Sequence, residues 1–351
     1  MAQDAFLSLI SGRRRGLMAS CVRGGLFLAS CGYAAAVRCR NLLFDKGIKQ
    51  SHLVPVKIIS VGNITTGGTG KTPVVAEITN RLTQQGVSTG ILSRGYHSLE
   101  SGDNDEKLVL DRLCPEVPHW LNADRVAGAV QARQEQPDLQ ALVLDDAFQH
   151  RRIRRDLDIV LIDATNPWGY GYQLPRGLLR ESKTGLRRSD LIVITRGDLI
   201  ENAELENLQA EIKSIAPVPP LIVSRFAPTG WLTLDGRILP LEEFQRRPVT
   251  ACCGIGNPEG FRNTLTAVNC EVKSFVSFPD HHHYTEEDLD SLSKTVRQDE
   301  TSTLVMTLKD LVKFPSEAIP DLTLAALLIE WEMIEGEHHL DQVLNETMNR
   351  D

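Results

Sequence analysis

The chain has 351 residues, 42% of them hydrophobic and 24% charged, enough to bury the cores of two domains. Its net charge of -8 excludes a general nucleic-acid binder, whose affinity would come from Lys and Arg set against phosphates. The seven cysteines form no C-x-x-C pair and no zinc spacing, so reduced thiols of a cytosolic protein are expected.

The first fifty residues reverse the overall charge. Arg13, Arg14, Arg15, Arg23, Arg38, Arg40, Lys46 and Lys49 stand against Asp4 and Asp45 alone, around the apolar segment "GLMASCVRGGLFLASCGYAAAV" (16 to 37). Its longest uncharged run, Gly24 to Val37, is shorter than the roughly 20 residues of a spanning helix. Residues 1–50 are therefore expected to form a helix lying in a membrane interface, apolar on one side and cationic toward anionic headgroups. A basic start and "LASC" (28 to 31) imitate an export signal, but Arg23 interrupts the apolar region and a nucleotide loop follows. A buried core helix is the remaining reading.

From residue 56 onward, short apolar runs alternate with helical stretches: "VKIISVG" (56 to 62), "TGILS" (89 to 93), "ALVLDD" (141 to 146), "DIVLID" (158 to 163) and "LIVITR" (191 to 196). Continuous Val- and Ile-rich runs mark strands of a parallel sheet covered on both faces, which predicts a doubly wound α/β fold. Between the first two runs lies "SVGNITTGGTGKTP" (60 to 73), close to the phosphate-loop pattern G-x-x-x-x-G-K-[ST] but with Thr65 at the first glycine position. Gly67, Gly68 and Gly70 let backbone N–H groups of the stretch from Thr66 through Thr69 turn toward an anion at the N-terminus of a helix spanning 71 to 86. Lys71 reaches the β- and γ-phosphates and Thr72 offers its hydroxyl to Mg²⁺. "ALVLDDAFQH" ends a strand with Asp145 and Asp146, either able to hold the magnesium directly or through water; Glu181 is a third candidate carboxylate for it.

A cluster of prolines (Pro217, Pro219, Pro220, Pro228) precedes "TGWLTLDGRILP" (229 to 240), a hairpin around Asp235-Gly236. The expected organisation is thus the basic segment 1–50, a phosphate-loop domain at 51–228 and a smaller α/β domain at 229–351, with strands at "VTACCGI", "EVKSFVSF" and "STLVMT". In "FPDHHHY" (278 to 284) three adjacent histidines point in different directions and so suit one metal ion poorly. One of them, oriented by a carboxylate, suits a general base better.

"VGNITTGGTGKTP", "LSRGY" (92 to 96), "DDAFQH", "LPRGLLRES" (174 to 182), "GIGNPEGF" (254 to 261), "FPDHH" and "MTLKDLVKF" (306 to 314) occur in the order and spacing of the tetraacyldisaccharide 4′-kinase family. The chain resembles that family over nearly its whole length, and the family's loop also has Thr at the first glycine position. The resemblance implies a P-loop NTPase fold and transfer of the ATP γ-phosphate, with Mg²⁺, to the 4′-hydroxyl of a tetraacylated glucosamine disaccharide 1-phosphate. It also implies peripheral attachment to the cytoplasmic face of a bacterial inner membrane through an N-terminal helix, with no nucleic-acid or protein partner. Lys71, Asp145 and Asp146 become catalytic. The family's catalytic Asp falls on Asp105 in "NDEK" (104 to 107), where Asn104 and Lys107 replace Gly and Pro and Asp103 is a competing neighbour. Its partner histidine falls on His281; with Asp105 and His281 in different domains, their base would assemble on closure. Asn63, Arg94, Arg125, Gln149, His150 and Arg180 take positions near the substrate phosphates, where bidentate arginine is well suited. Leu308 replaces an acidic residue usual before Lys309 and Asp310.

Two other classes remain open at this stage. A GTP-driven metal chaperone would use "TRGD" (195 to 198) to read guanine and the histidines to carry metal; a membrane-associated ATPase would bind a protein partner. Thr66 in place of a lysine, and Arg196 where the guanine segment expects Lys, count against the chaperone.

Overall fold

The computed structural model describes residues 2–95, 105–280, 282–315 and 322–350. The chain divides into two compact units: Met1–Arg94, Val117–Arg225 and Met333–Asp351 make the first, Gly95–Glu116 and Phe226–Glu332 the second.

In the first unit the anticipated runs form β1 (Lys57–Asn63), β2 (Thr89–Ser93), β4 (Ala141–Asp145), β5 (Leu157–Asp163) and β6 (Leu191–Thr195). They are joined by β3 (His119–Leu121), too short to read from periodicity, and by the start of β7 (Leu221–Thr233). The order is β3-β2-β4-β1-β5-β6-β7, with every neighbouring pair parallel. The chain leaves β1 for one side of the sheet, fills it as far as β4, then crosses to β5 on the other side. The crevice beyond the carboxyl ends of β1, β4 and β5 is the point where such sheets bind ligands.

Both faces are covered, as uninterrupted apolar strands require. Ile58, Leu142, Leu144, Val160, Ile162, Ile192 and Ile194 pack with Ala129 and Ala132 of α5 (Arg125–Glu135) and with Leu208 and Ile212 of α6 (Asn202–Ile215). The alternate residues Ile59, Val61, Val143, Ile159 and Val193 are equally inaccessible, and α3 (Lys71–Gln84) and α10 (Glu337–Asn349), packed on these strands, close that face. Each such side chain contributes about 1.5–3 kcal/mol by burial.

Ahead of this sheet lie α1 (Ala2–Ile10) and α2 (Leu17–Asp45). At 29 residues, α2 is long and apolar enough to cross a membrane by length and composition, more than the uncharged run alone led one to expect, because helix continues through Arg23 and Arg38. It is no core helix: only 6% of its apolar window is buried, and Leu17, Met18 and Leu28 are 85%, 84% and 73% exposed. One side is fixed to the first unit. Ser30 donates to the Gln173 carbonyl (2.7 Å) and Tyr33 to the Arg180 carbonyl (2.9 Å).

β7 and β12 (Thr323–Glu335) carry the chain into the second unit and back. There β9 (Pro248–Cys253), β10 (Glu271–Ser277), β11 (Thr303–Thr307) and β12 lie in the parallel order β10-β9-β11-β12, and β7 turns through Gly236 (φ 89°) into antiparallel β8 (Ile238–Pro240). Helix α8 (Glu286–Gln298) buries Leu289, Leu292 and Val296 against Cys252, Leu304 and Met306, while α7 (Pro258–Ala267) buries Phe261 and Leu265 on Val249, Ala251 and Val305. Residues 105–116, assigned from sequence to the phosphate-loop domain, fold with this unit instead, because α4 (Asp105–Leu113) packs on α9 (Leu308–Leu311). None of the seven cysteines is joined in a disulfide.

Candidate functional site

The loop after β1 is shaped by glycine where the backbone demands it. Gly67 (φ 120°) and Gly70 (φ 81°) adopt left-handed backbone, and Gly70 starts α3. Thr65 needs no such angle; buried, it bridges to Leu179. Thr66 N–H donates to the Leu178 carbonyl and Arg180 N–H to the Ile64 carbonyl, both at 2.7 Å, so "LPRGLLRES" straps the loop from outside. From the other side the Thr195 hydroxyl donates to the Thr69 carbonyl (3.1 Å) and Arg196 to the Gly68 carbonyl (3.0 Å), Arg196 also pairing with Asp163. The Thr66 N–H is thus taken by Leu178 and the Thr69 N–H by the Gly67 carbonyl (3.1 Å), contrary to the expectation that both face the anion, and the N–H groups at the head of α3 are the ones left for it. Arg196 of "TRGD" therefore braces the phosphate loop.

Gly62, just before the loop, is fixed by contact: a Cβ there would lie 2.7 Å from both Cβ and N of Phe148. That closeness brings "DDAFQH" against the loop. Lys71 Nζ lies 3.4 Å from Asn63 Oδ1 and 3.5 Å from Asp146 Oδ1. Arg180 Nη1 approaches both oxygens of Asp146, at 2.8 and 2.9 Å. Burial pushes the Asp146 carboxyl up, but Lys71 and Arg180 outweigh it and hold the group below its ordinary range. Asp146 leaves the strand at φ 50°, a left-handed angle tolerated by aspartate.

Gln149 ties the parts together by donating to the Asn63 carbonyl and to Glu181 Oε1, each at 2.9 Å. Glu181 is 1% exposed and also accepts two bonds from Arg188 (2.9 and 3.2 Å) and one from Asn41 of α2 (3.3 Å). Four donors make it a buried strut. Arg188 and Asn41 carry no motif and were not foreseen from sequence. Asp145 is buried at the end of β4, and Thr72 sits in the first turn of α3. The hydroxyl and carboxylate oxygens of Thr72, Asp145 and Asp146 are the donor chemistry that Mg²⁺ prefers, whereas Glu181 is already filled.

Arg125 is 3% exposed and donates to the Asp145 carbonyl (2.9 Å) and the Asn122 carbonyl (2.6 Å). It thus anchors the end of β4. Burial, then the charges of Arg125 and Arg94, push His150 down to about 4, Asp146 opposing, so its imidazole is neutral at pH 7.

In the second unit Asp105 opens α4, 7% exposed, with Lys313 Nζ 3.3 Å from its Oδ2. Asp103 and His281 lie outside the described residues. Asp105 and the neighbours of His281 belong to one unit, so a base built from them needs no second domain to supply a member. His282 Nε2 is 2.9 Å from Asp288 Oδ2, stacks on Phe278 and is committed to the cap of α8. A Cβ on Gly254 would crowd His282, Asp310 and the Pro279 carbonyl at 3.2 Å, and one on Gly256 would lie 3.1 Å from Asp280 Oδ2, so "GIGNPEGF" and "FPDHH" read as two sides of one contact. Among the described residues no three His, Cys, Asp or Glu side chains converge as metal ligands.

A glycine loop between a strand and a helix, with Lys71 and Thr72 in the first turn and paired aspartates on the neighbouring strand, defines a P-loop nucleotide-binding protein of the α/β class. Residues 23–349 match the family described as Tetraacyldisaccharide-1-P 4'-kinase, LpxK. A tetraacyldisaccharide 4'-kinase of Anaeromyxobacter sp. (strain Fw109-5) is 36% identical over 347 residues, spanning 93% of this chain and 91% of that protein. One from Syntrophus aciditrophicus (strain SB) is 35% identical over 86% of each chain. LpxK from Aquifex aeolicus, solved in complex with ATP, superposes with a TM-score of 0.75 at 27% identity, covering 93% of this chain and 99% of that one. The chain belongs to the tetraacyldisaccharide 4'-kinase family, ATP-dependent kinases of lipid A biosynthesis.

Proposed function

We propose that the protein transfers the γ-phosphoryl group of ATP to the 4′-hydroxyl of a tetraacylated glucosamine disaccharide 1-phosphate. The observation that carries this reading is Lys71, braced by Asn63 and Asp146 at the head of a glycine-shaped loop. The acceptor oxygen bonds to the γ-phosphorus as the bond to the leaving ADP oxygen breaks, and the acceptor proton passes to a base formed by Asp105 and His281. Lys71 and Arg180 stabilise charge on the transferred group, and loop N–H groups hold the phosphates. Thr72 with Asp145 or Asp146 would hold Mg²⁺, which when bound neutralises phosphate charge. Arg94 and neutral His150 present donors to the acceptor, while Gln149, both amide hydrogens of which go to the Asn63 carbonyl and Glu181, holds the loop in place.

The same reading puts the protein peripherally on the cytoplasmic face of the inner membrane. The exposed Leu17, Met18, Val22, Phe27 and Leu28 of α2 support it, as do the cations that flank them. The deciding experiment supplies γ-labelled ATP or GTP with an acylated disaccharide 1-phosphate in mixed micelles, with and without a magnesium chelator. Label should enter the lipid from ATP and stop with chelation. ATP hydrolysis with no lipid label would favour the membrane-associated ATPase and sink the kinase reading.

A further inference from the structure

Lys313 follows the "LKD" of its motif by a single helical turn and carries no assigned role, yet its side chain is only 5% exposed. A lysine that far from water must be paired. Its ammonium lies between two carboxylates, 3.3 Å from Asp105 Oδ2 and 3.7 Å from Asp310 Oδ1, and 5.7 Å from the centre of the Tyr284 ring.

Asp310 is held by more than the ammonium. Asp310 is 0% exposed and accepts from Gly254 N–H (3.0 Å) and the Tyr284 hydroxyl (2.9 Å) on one oxygen and from the Thr307 hydroxyl (2.5 Å) on the other. Each of these bonds is one it accepts, the pattern of an ionised carboxylate. Three donors from three segments make it a fixed anchor. Asp105 stands at the first residue of α4, so its orientation depends on what its side chain meets. One ammonium shared by two carboxylates leaves the trio with one negative charge. Asp310 spreads its charge over three hydrogen bonds besides.

We propose that Lys313 is a positioning residue for phosphoryl transfer: anchored on Asp310, it keeps Asp105 ionised and aimed as the proton acceptor of the acceptor hydroxyl. This rests on the reading of Asp105 as part of the base. A base whose carboxylate is free to turn or to take up a proton loses both the geometry and the charge that proton abstraction needs. A merely structural ion pair would behave otherwise, since buried pairs can be replaced by apolar groups without loss when the packing is kept.

The test compares Lys313→Met, Lys313→Arg, Asp105→Asn and the Asp105→Asn/Lys313→Met pair in the full chain, reading kcat and both KM values together with thermal unfolding. Lys313→Met should lose about 10²-fold in kcat with KM for ATP and lipid little changed, the lower range of what a general base contributes. Lys313→Arg should recover most of that loss, and the double variant should be no slower than Asp105→Asn alone. Should Lys313→Met not fold, Lys313→Gln, polar but uncharged, is read in the same way. Near-normal kcat in the neutral variant beside an inactive Asp105→Asn would overturn this inference and leave the base intact. An active Asp105→Asn would instead remove the base assignment, and the inference with it.

Discussion

The phosphate loop of the first unit and the Asp105 network of the second solve different problems by different means. In the loop the work is done by backbone: glycines at 67 and 70 take angles that other residues rarely adopt, carbonyls are drawn away by Thr195 and Arg196, and the facing charges of Lys71, Asp146 and Arg180 remain partly open to solvent. Around Asp105 the work is done by side-chain ions in a nearly dry setting, where the side chains of Asp105, Lys313 and Asp310 are 9%, 5% and 0% exposed. A backbone cradle receives charge that arrives with a ligand. A buried ionic network holds its own charge ready and is correspondingly sensitive to the loss of any member.

The largest expected effect tests the cradle. Lys71→Ala should abolish turnover, removing about 3–4 kcal/mol or more of charge stabilisation from the transferred group, while the strapped backbone leaves thermal stability close to that of the parent. Near-normal kinase activity would end the phosphate-loop assignment. The ionic network predicts a different signature. Asp105→Ala and His281→Ala should each depress kcat by about 10²-fold or more, and the double variant should be little worse than the poorer single, because two groups acting as one base do not contribute additively. His282, already bound to Asp288, should tolerate alanine within a few-fold. Multiplicative losses would break the dyad, and an inert His281 beside an inactive His282 would show that the wrong imidazole had been chosen.

The contrast also explains what could be read from sequence. Gly67, Gly70, Lys71 and Thr72 lie within six residues, and each is demanded by local backbone or first-turn geometry, so a short motif reveals them. The parallel strands were equally legible, because burial on both faces leaves unbroken Val and Ile runs. Nothing local announced that 105–116 would fold with the second unit, nor that Lys313 would meet Asp105 some two hundred residues earlier; the only hint was the i,i+3 spacing of Asp310 and Lys313. Glu181 was misleading for a related reason. A carboxylate after a basic motif near a phosphate loop resembles a metal ligand, and only the tertiary structure shows its oxygens filled by Arg188, Gln149 and Asn41.

That strut gives the next prediction, in stability. Arg188→Met leaves Glu181 buried with its charge unpaired, and the cost should be about 3–5 kcal/mol, seen as a lower denaturation midpoint. Glu181→Gln/Arg188→Met, which removes both charges, should recover a large part of it. A single variant as stable as the parent would mean that Glu181 is served by solvent and is not an ionic element comparable with the network of the second unit.

The smallest effect concerns pH and separates the cradle's histidine from the rest of the molecule. His150 is pushed from its ordinary 6.5 down to about 4 by burial and by the charges of Arg125, Arg94 and Arg155, against the pull of Asp146. Its folded value is the depressed one, so between about 4 and 6.5 the unfolded chain binds the extra proton. The stability tied to neutral His150 is therefore complete above pH 6.5 and is lost as pH falls toward 4. The imidazole is half-buried, so solvent screening reduces this to about 1–2 kcal/mol. Asp158, raised to about 6 by burial, works in the opposite direction over part of the same range, so the parent's own pH profile mixes the two. The informative quantity is the difference between the parent and His150→Gln, in which Asp158 and every other group cancel. The variant should lose less stability than the parent between pH 7 and pH 4.5, as read by denaturant midpoints at each pH. Parallel profiles would mean that His150 titrates alike in both states, and that the arginines around it leave its proton affinity unchanged.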